Sequence, residues 1–363
     1  MICLDGCAPD YMKKSDIPNI RSLCRQGRFE TGTAMVPTVT NVNNVSLLTG
    51  VYPDEHGITS NCYYDRERNA EVYMESAEDI RAVTIFEELR QGGRKTALLS
   101  VKDKLCTLLN KGADVVLSAE SPPSWIVKEI DQPPSIYSIE VNAWLLRALS
   151  VVLTKQQPSF TYVATTDYVG HKYGPDAPEA HRHMELVDDE VGRIVERFPN
   201  LLVCIGADHG MTGKSRAVNL RLALEKVGIA AWVIPTVKDR YLPHHSNLSG
   251  SAYVFMGNRG ERRKALDLLR GLEGVERVLT DTEAISEFHL PTEKVGEFLV
   301  LGLEDTVFGE VGEGVEVGVN IRSHGSLHER EVPLIVHGEG VDELRIAENK
   351  DLARVVLTWL RPN

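Results

Sequence analysis

Residues 160–210 read FTYVATTDYVGHKYGPDAPEAHRHMELVDDEVGRIVERFPNLLVCIGADHG. An apolar run from Phe160 to Thr166 is followed by Asp167 and, four residues on, by His171. A helix is predicted over about Glu179 to Phe198, because Met184, Val187, Val191, Ile194, Val195 and Phe198 recur at spacings of three and four and form one apolar stripe. Pro199 and Asn200 end it, a second apolar run spans Leu201 to Ala207, and Asp208-His209-Gly210 follows. Strand, helix and strand, with short continuous apolar runs as the strands, is the pattern of a parallel sheet covered on both faces.

Working outward, the same rhythm recurs. Strands are predicted at Ile2 to Leu4, Thr96 to Val101 and Leu334 to Val336. Helices are predicted at Ile20 to Arg25, stopped by Gly27, and at Thr84 to Arg90, stopped by Gly92 and Gly93. The expected fold class is therefore α/β, a doubly wound, mostly parallel sheet. From about 220 to 320 the texture changes. Leu220 to Val227 and Glu261 to Leu272 read as helices, while Ala252 to Met256, Val275 to Leu279 and Phe298 to Leu301 read as strands. The expectation is an α/β core made of 1–219 and 321–363, with a smaller α+β cap inserted at 220–320.

The 363 residues, 42% hydrophobic and 25% charged, describe a globular chain with room for two domains, or for one with an insertion. The 52 acidic against 40 basic residues leave a formal charge of -12, which repels a phosphate backbone and anionic headgroups. Nucleic acid and membrane are therefore not expected as partners. Six cysteines without a CxxC read as reduced thiols. With no long apolar run and no export signal, the expected location is cytoplasmic. Met1 runs almost directly into the first predicted strand, which leaves open a clipped N-terminus.

Three predicted strands end in polar, glycine-marked loops: Asp5-Gly6, Asp167 with His171, and Asp208-His209-Gly210. Ligands of an open parallel sheet sit beyond the carboxyl ends of its strands, so these residues are expected to converge. Three carboxylates and two imidazoles in one crevice require a compensating cation, and this mixed donor set suits zinc, with manganese or iron as alternatives. A two-metal site is expected. Taken singly, Asp5 also reads as a helix cap, Asp167 and His171 as a local helix pair, and Asp208-His209-Gly210 as a turn. The segment Pro37 to Gly50 places Thr40-Asn41 at the start of a helical stretch, where free N–H groups and the helix dipole favour an anion. Thr and Asn are equally ordinary helix caps.

Asp5-Gly, Thr40-Asn in an Asn-rich run, Tyr52-Pro53-x-x-His56-Gly57-Ile58, Asp167-x-x-x-His171, Asp208-His209-Gly210 and Ser323-His324-Gly325 together resemble the alkaline phosphatase superfamily. Within it, the chain is similar to the branch that holds nucleotide pyrophosphatases/phosphodiesterases and phosphonoacetate hydrolases. The resemblance implies two zinc ions, one held by Asp167, His171 and His324, the other by Asp5, Thr40, Asp208 and His209. It also implies that Thr40 is the nucleophile. The residues alone do not choose among His324, His328, His244 and His245 as third histidine; the resemblance selects His324, for metal and substrate alike. His56 reads as structural, from its turn between Pro53 and Gly57.

Lys102 and Lys104 follow a predicted strand and, in an extended segment, point to the same side. They read either as a solvated cluster paired with Asp103 or, by resemblance, as the pair that binds the substrate carboxylate in phosphonoacetate hydrolases. Asn61 matches the family asparagine that donates to the phosphoryl group. The resemblance thus implies cleavage of the carbon–phosphorus bond of a small phosphonate through a phosphothreonine. The alternative is phosphoester hydrolysis on the same di-zinc site. A homodimer is allowed.

Overall fold

The computed structural model describes residues 1–240, 246–340 and 344–361. Its largest sheet has seven strands in the order Arg28–Thr33, Glu331–His337, Val203–Gly206, Ile2–Cys3, Phe160–Ala164, Thr96–Ser100 and Val115–Ser118. Helices Pro18–Gln26, Val141–Gln156, Pro178–Arg197 and Asp351–Leu360 turn apolar side chains into the same core as the strands. The helix expected at Glu179 to Phe198 is thus present with nearly the same limits. Gly27 and Thr84 act as the expected boundaries, and the Thr84 side chain caps helix Ile85–Gln91 in a reciprocal box with Glu87.

The register of the central strands positions the chemistry. Cys3 pairs with both Ala164 and Gly206, and Ser100 pairs with Ala164, all in parallel. Asp5, Thr166, Asp208 and Lys102 each lie two residues beyond those paired positions, so four adjacent strands present them at one level. Glu331–His337 runs antiparallel to both its neighbours, although its apolar run reads like the others. The chain reaches this strand from the loop carrying His324, already at the carboxyl end of the sheet, and must run back down.

A second sheet, antiparallel, joins Ala231–Pro235, Ser251–Met256, Phe298–Gly302 and Val275–Thr280. It is accompanied by helices Leu220–Lys226, Arg262–Arg270 and Asp281–Phe288. Between it and the main sheet, Thr212–Val218 pairs with Glu316–Ser323, with Ser323 opposite Thr212. The outgoing and returning chains thus lie side by side. This delivers His324 next to the point where the chain left His209.

Two other features depart from the sequence pattern. The lysine segment is not extended: Asp103–Leu109 is a helix preceded by Lys102, because Leu105, Cys106, Leu108 and Leu109 are buried at helical spacing. Asp103 is held by Ser118 and Ser121, not by either lysine. Helix Val141–Gln156 carries apolar residues around most of its circumference and is buried along nine of its positions, so it lacks the stripe that would mark it. All six cysteines are free thiols. Among the described residues, no helix is long and apolar enough to cross a membrane.

Candidate metal centre

Six side chains fall into two groups whose ligating atoms lie within 4.8 Å of one another: Asp167, His171 and His324, and Asp5, Asp208 and His209. All six residues are buried. In each histidine one ring nitrogen is committed to a backbone carbonyl. Nδ1 of His171 donates to Arg322 O at 2.8 Å, Nδ1 of His209 to Gly210 O at 2.9 Å and Nδ1 of His324 to Thr38 O at 2.7 Å. That fixes the tautomer with the Nε2 lone pair facing the carboxylates, which is how a protein prepares a histidine for a cation. His209 stacks on His324 with ring centroids 3.6 Å apart.

The carboxylates are held unequally. Asp208 is oriented by the backbone N–H groups of Gly6 and His209 and by Asn44 Nδ2. Both carboxylate oxygens of Asp5 are buried without a hydrogen bond among the described residues. The nearest imidazole, His209 Nε2, lies 3.4 Å from Asp5 Oδ1. Burial, with Asp167 and Asp208 close by, pushes the Asp5 carboxyl well above the ordinary range. Burial and the neighbouring imidazoles of His209 and His171 push His324 well below its own. Both directions express a site that stabilises charge poorly without a cation and well with one. The donor set and the bare oxygens of Asp5 therefore fit divalent metal ions.

Thr40 opens helix Thr40–Thr49, and its Oγ1 lies 3.2 Å from His209 Nε2. The asparagines around it are its scaffold. Asn43 folds residues 35–39 onto the first turn, accepting from Met35 N and donating to the carbonyls of Met35, Pro37 and Val39. Asn44 ties Thr40 O to the Asp208 carboxylate and accepts from the Tyr162 hydroxyl. Val39, the capping residue, has no side-chain cap, which leaves the helix N-terminus to an incoming anion.

Lys102, Lys104 and Asn61 line the same cleft as Thr40, Asp167 and His324. Lys102 Nζ lies 3.3 Å from Asp167 Oδ1. Burial opposes its charge, but Asp167 and Asp5 outweigh that and hold its pKa above the usual lysine value. Lys104 Nζ pairs with Asp239. Asn61 Nδ2 donates to Val237 O at 3.1 Å, which leaves its second amide hydrogen for another acceptor. His56 stands apart, buried between Ser46 Oγ and the Ile58 N–H. His328 pairs with Glu276 at the surface. His244 and His245 lie outside the described residues.

Sequence reasoning passed over Asp239, Tyr137 and Thr38. The first two line the cleft, and Thr38 holds the His324 loop through its carbonyl and hydroxyl. Asp239 and Tyr137 carry no motif. Only Thr38, two residues before Thr40, stood near a signal.

Comparison with known proteins agrees with this geometry. Two solved structures of phosphonoacetate hydrolase from Sinorhizobium meliloti 1021, in complex with phosphonoacetate and with phosphonoformate, superpose with a TM-score of 0.88 at 29% identity. They cover 98% of this chain and 94% of theirs. Alkaline phosphatase PafA, at 15% identity and a TM-score of 0.71, shares the fold. Among curated proteins, a venom phosphodiesterase of Crotalus durissus collilineatus is 29% identical over 225 residues, 58% of this chain and 26% of that protein. The bis(5'-adenosyl)-triphosphatase ENPP4 of Bos taurus is 28% identical over 242 residues, 61% of this chain and 49% of that protein. The chain thus spans a quarter to a half of the length of these curated relatives. The sequence profile of type I phosphodiesterase / nucleotide pyrophosphatase matches residues 1–308. With that match over most of its length, the chain belongs to the type I phosphodiesterase / nucleotide pyrophosphatase family of hydrolases, within the alkaline phosphatase superfamily.

Proposed function

We propose that the protein is a di-zinc hydrolase that splits the carbon–phosphorus bond of phosphonoacetate into acetate and phosphate, with Thr40 as nucleophile. One observation carries the choice of substrate. Lys102 and Lys104 share a cleft with Thr40, Asn61 and His324, so a phosphonate seated on Thr40 would carry its carboxylate towards two ammonium groups. The likeness to the Sinorhizobium enzyme along nearly the whole chain supports the same reading. The region 220–320 serves in this reading as a cap beside the cleft, and six free thiols suit a cytoplasmic enzyme.

Zinc, held by Asp167, His171 and His324 and by Asp5, Asp208, His209 and Thr40, would supply Lewis acidity that lowers the pKa of a hydroxyl and offsets phosphoryl charge. Thr40 Oγ1, having released its proton to solvent water, attacks phosphorus, and Asn61 donates to a nonbridging oxygen as negative charge builds. As the oxygen–phosphorus bond forms, the carbon–phosphorus bond breaks. Its electron pair stays on the methylene carbon, delocalised into the carboxylate as an enolate. Lys102 and Lys104 hold that charge, and a proton from water on carbon completes acetate. Water then attacks the phosphorus of phosphothreonine, releasing phosphate and restoring the Thr40 hydroxyl.

Phosphorus NMR on zinc-loaded protein tests the proposal, with a nitrophenyl phosphate diester in parallel. Phosphate and acetate in equal amounts from phosphonoacetate are expected. Cleavage of the ester alone would favour phosphodiester hydrolysis, the second reading, which draws on the apolar wall of Leu105, Ile136 and Tyr137 in the same cleft.

A further inference from the structure

The two lysines of the cleft are anchored to different parts of the molecule. Lys102 leans on Asp167, at the metal end. Lys104 Nζ pairs with Asp239 Oδ2, and Glu75 Oε1 lies 3.8 Å away. The Lys104 and Asp239 side chains are only 10% and 11% exposed. Asp239 comes from the insertion, four residues after strand Ala231–Pro235. Its backbone is fastened to Asn247, whose Oδ1 accepts from Asp239 N at 2.9 Å and whose Nδ2 donates to Asp239 O at 3.2 Å.

The same short segment grips Asn61. Asn61 N donates to Thr236 O at 3.0 Å, and its Nδ2 donates to Val237 O at 3.1 Å. Residues 236–239 therefore hold both the amide assigned to the phosphoryl group and an ammonium assigned to the carboxylate. A lysine side chain is a point charge on a flexible four-carbon stem, so an unanchored Lys104 would spend much of its time away from any one anion position. A carboxylate fixed beside it, with both side chains largely buried, restricts that freedom before substrate arrives.

We infer that Asp239 is a positioning residue, which fixes the Lys104 ammonium where it meets the second charge of a carboxylated phosphonate. The insertion then joins the sheet in setting the preference for such a substrate over a plain phosphonate. This rests on the carboxylate-binding role proposed above for the two lysines. Removing Asp239 has two opposing consequences. The cleft becomes more positive, which tightens the carboxylated anion more than the plain one, while the loss of positioning weakens only the anion that uses Lys104. The ratio of two affinities separates them.

The measurement is calorimetric binding of phosphonoacetate and of methylphosphonate to zinc-loaded protein in a Thr40→Ala background, which blocks turnover. The parent is expected to prefer phosphonoacetate, and Asp239→Asn to lower that preference about tenfold. Asp239→Glu, which keeps the charge, should restore most of it. Added to Lys104→Ala, Asp239→Asn should no longer lower the preference, because its partner is already gone. A preference that survives Asp239→Asn, or falls equally without Lys104, overturns the role of Asp239 alone. A parent that binds both phosphonates equally overturns the carboxylate reading, and the role of Asp239 with it.

Discussion

The two ends of the cleft are built by different means. At the metal end, all six clustered residues are buried; five lie one to three positions past a strand, His171 lies four beyond Asp167, and backbone groups orient most of them. At the end proposed to recognise the substrate, Lys104 and Asn61 depend on residues 236–239, through an ion pair and through carbonyls of an irregular segment. Parallel register places the first set with little freedom, because sliding one strand would move every residue at its end. The second set can change without disturbing the sheet. On the function proposed above, chemistry resides in the sheet, and discrimination in what is added to it.

The sharpest way to break this division is at its catalytic centre. Thr40→Ala should lower turnover about a thousandfold or more, with metal content by atomic emission nearly unchanged; full activity in that variant would exclude Thr40 as nucleophile. The rigidity of the metal end can be tested at Glu329. This fully buried carboxylate pairs with buried Lys214 at 2.9 Å and accepts from Ser326, beside the His324 loop. Glu329→Ala strands the ammonium and should cost about 3–5 kcal/mol in urea unfolding. Glu329→Leu with Lys214→Met should recover most of it.

At the recognition end, Lys102→Ala with Lys104→Ala should lower activity about a hundredfold on phosphonoacetate but about tenfold or less on a nitrophenyl ester. Equal losses on both would mean the lysines do not read a carboxylate.

The effect that is smallest at neutral pH concerns His56, which supports the Thr40 helix through Ser46. Burial, helped by Lys294, pushes it from 6.5 to about 3. The folded imidazole stays neutral while the unfolded chain gains a proton. Its contribution to stability is therefore complete above about pH 6.5 and is lost as pH falls towards about 3, by at most about 1.4 kcal/mol per pH unit. Thermal melts should show a shallower acid slope for His56→Gln; an unchanged slope would remove His56 from this account.

Much of the fold was legible because its signals are local. The stripe from Met184 to Phe198 and the apolar runs ending at Asp5, Asp167 and Asp208 each occupy one window of sequence. The antiparallel sheet and the helices within 220–320 show in the sequence as a change of texture near Leu220. Where locality fails, so does the reading. Leu334 to Val336 looks like its parallel neighbours because burial on both faces erases any trace of direction. Lys102 and Lys104 were placed on an extended chain, although the leucines after them already carried a helical period.

By itself, the sequence determined the α/β architecture, the three acidic strand ends and, through its motifs, the residues able to hold metal. Only the tertiary structure decided how they are tuned. The carbonyls of Arg322 and Thr38 that fix His171 and His324, and the Asp239 that holds Lys104, lie more than a hundred residues away from them in the chain. The physical reason is one of range: hydrophobic period and turn chemistry act over a few residues, whereas a hydrogen bond or an ion pair requires only proximity after folding, which no local pattern encodes.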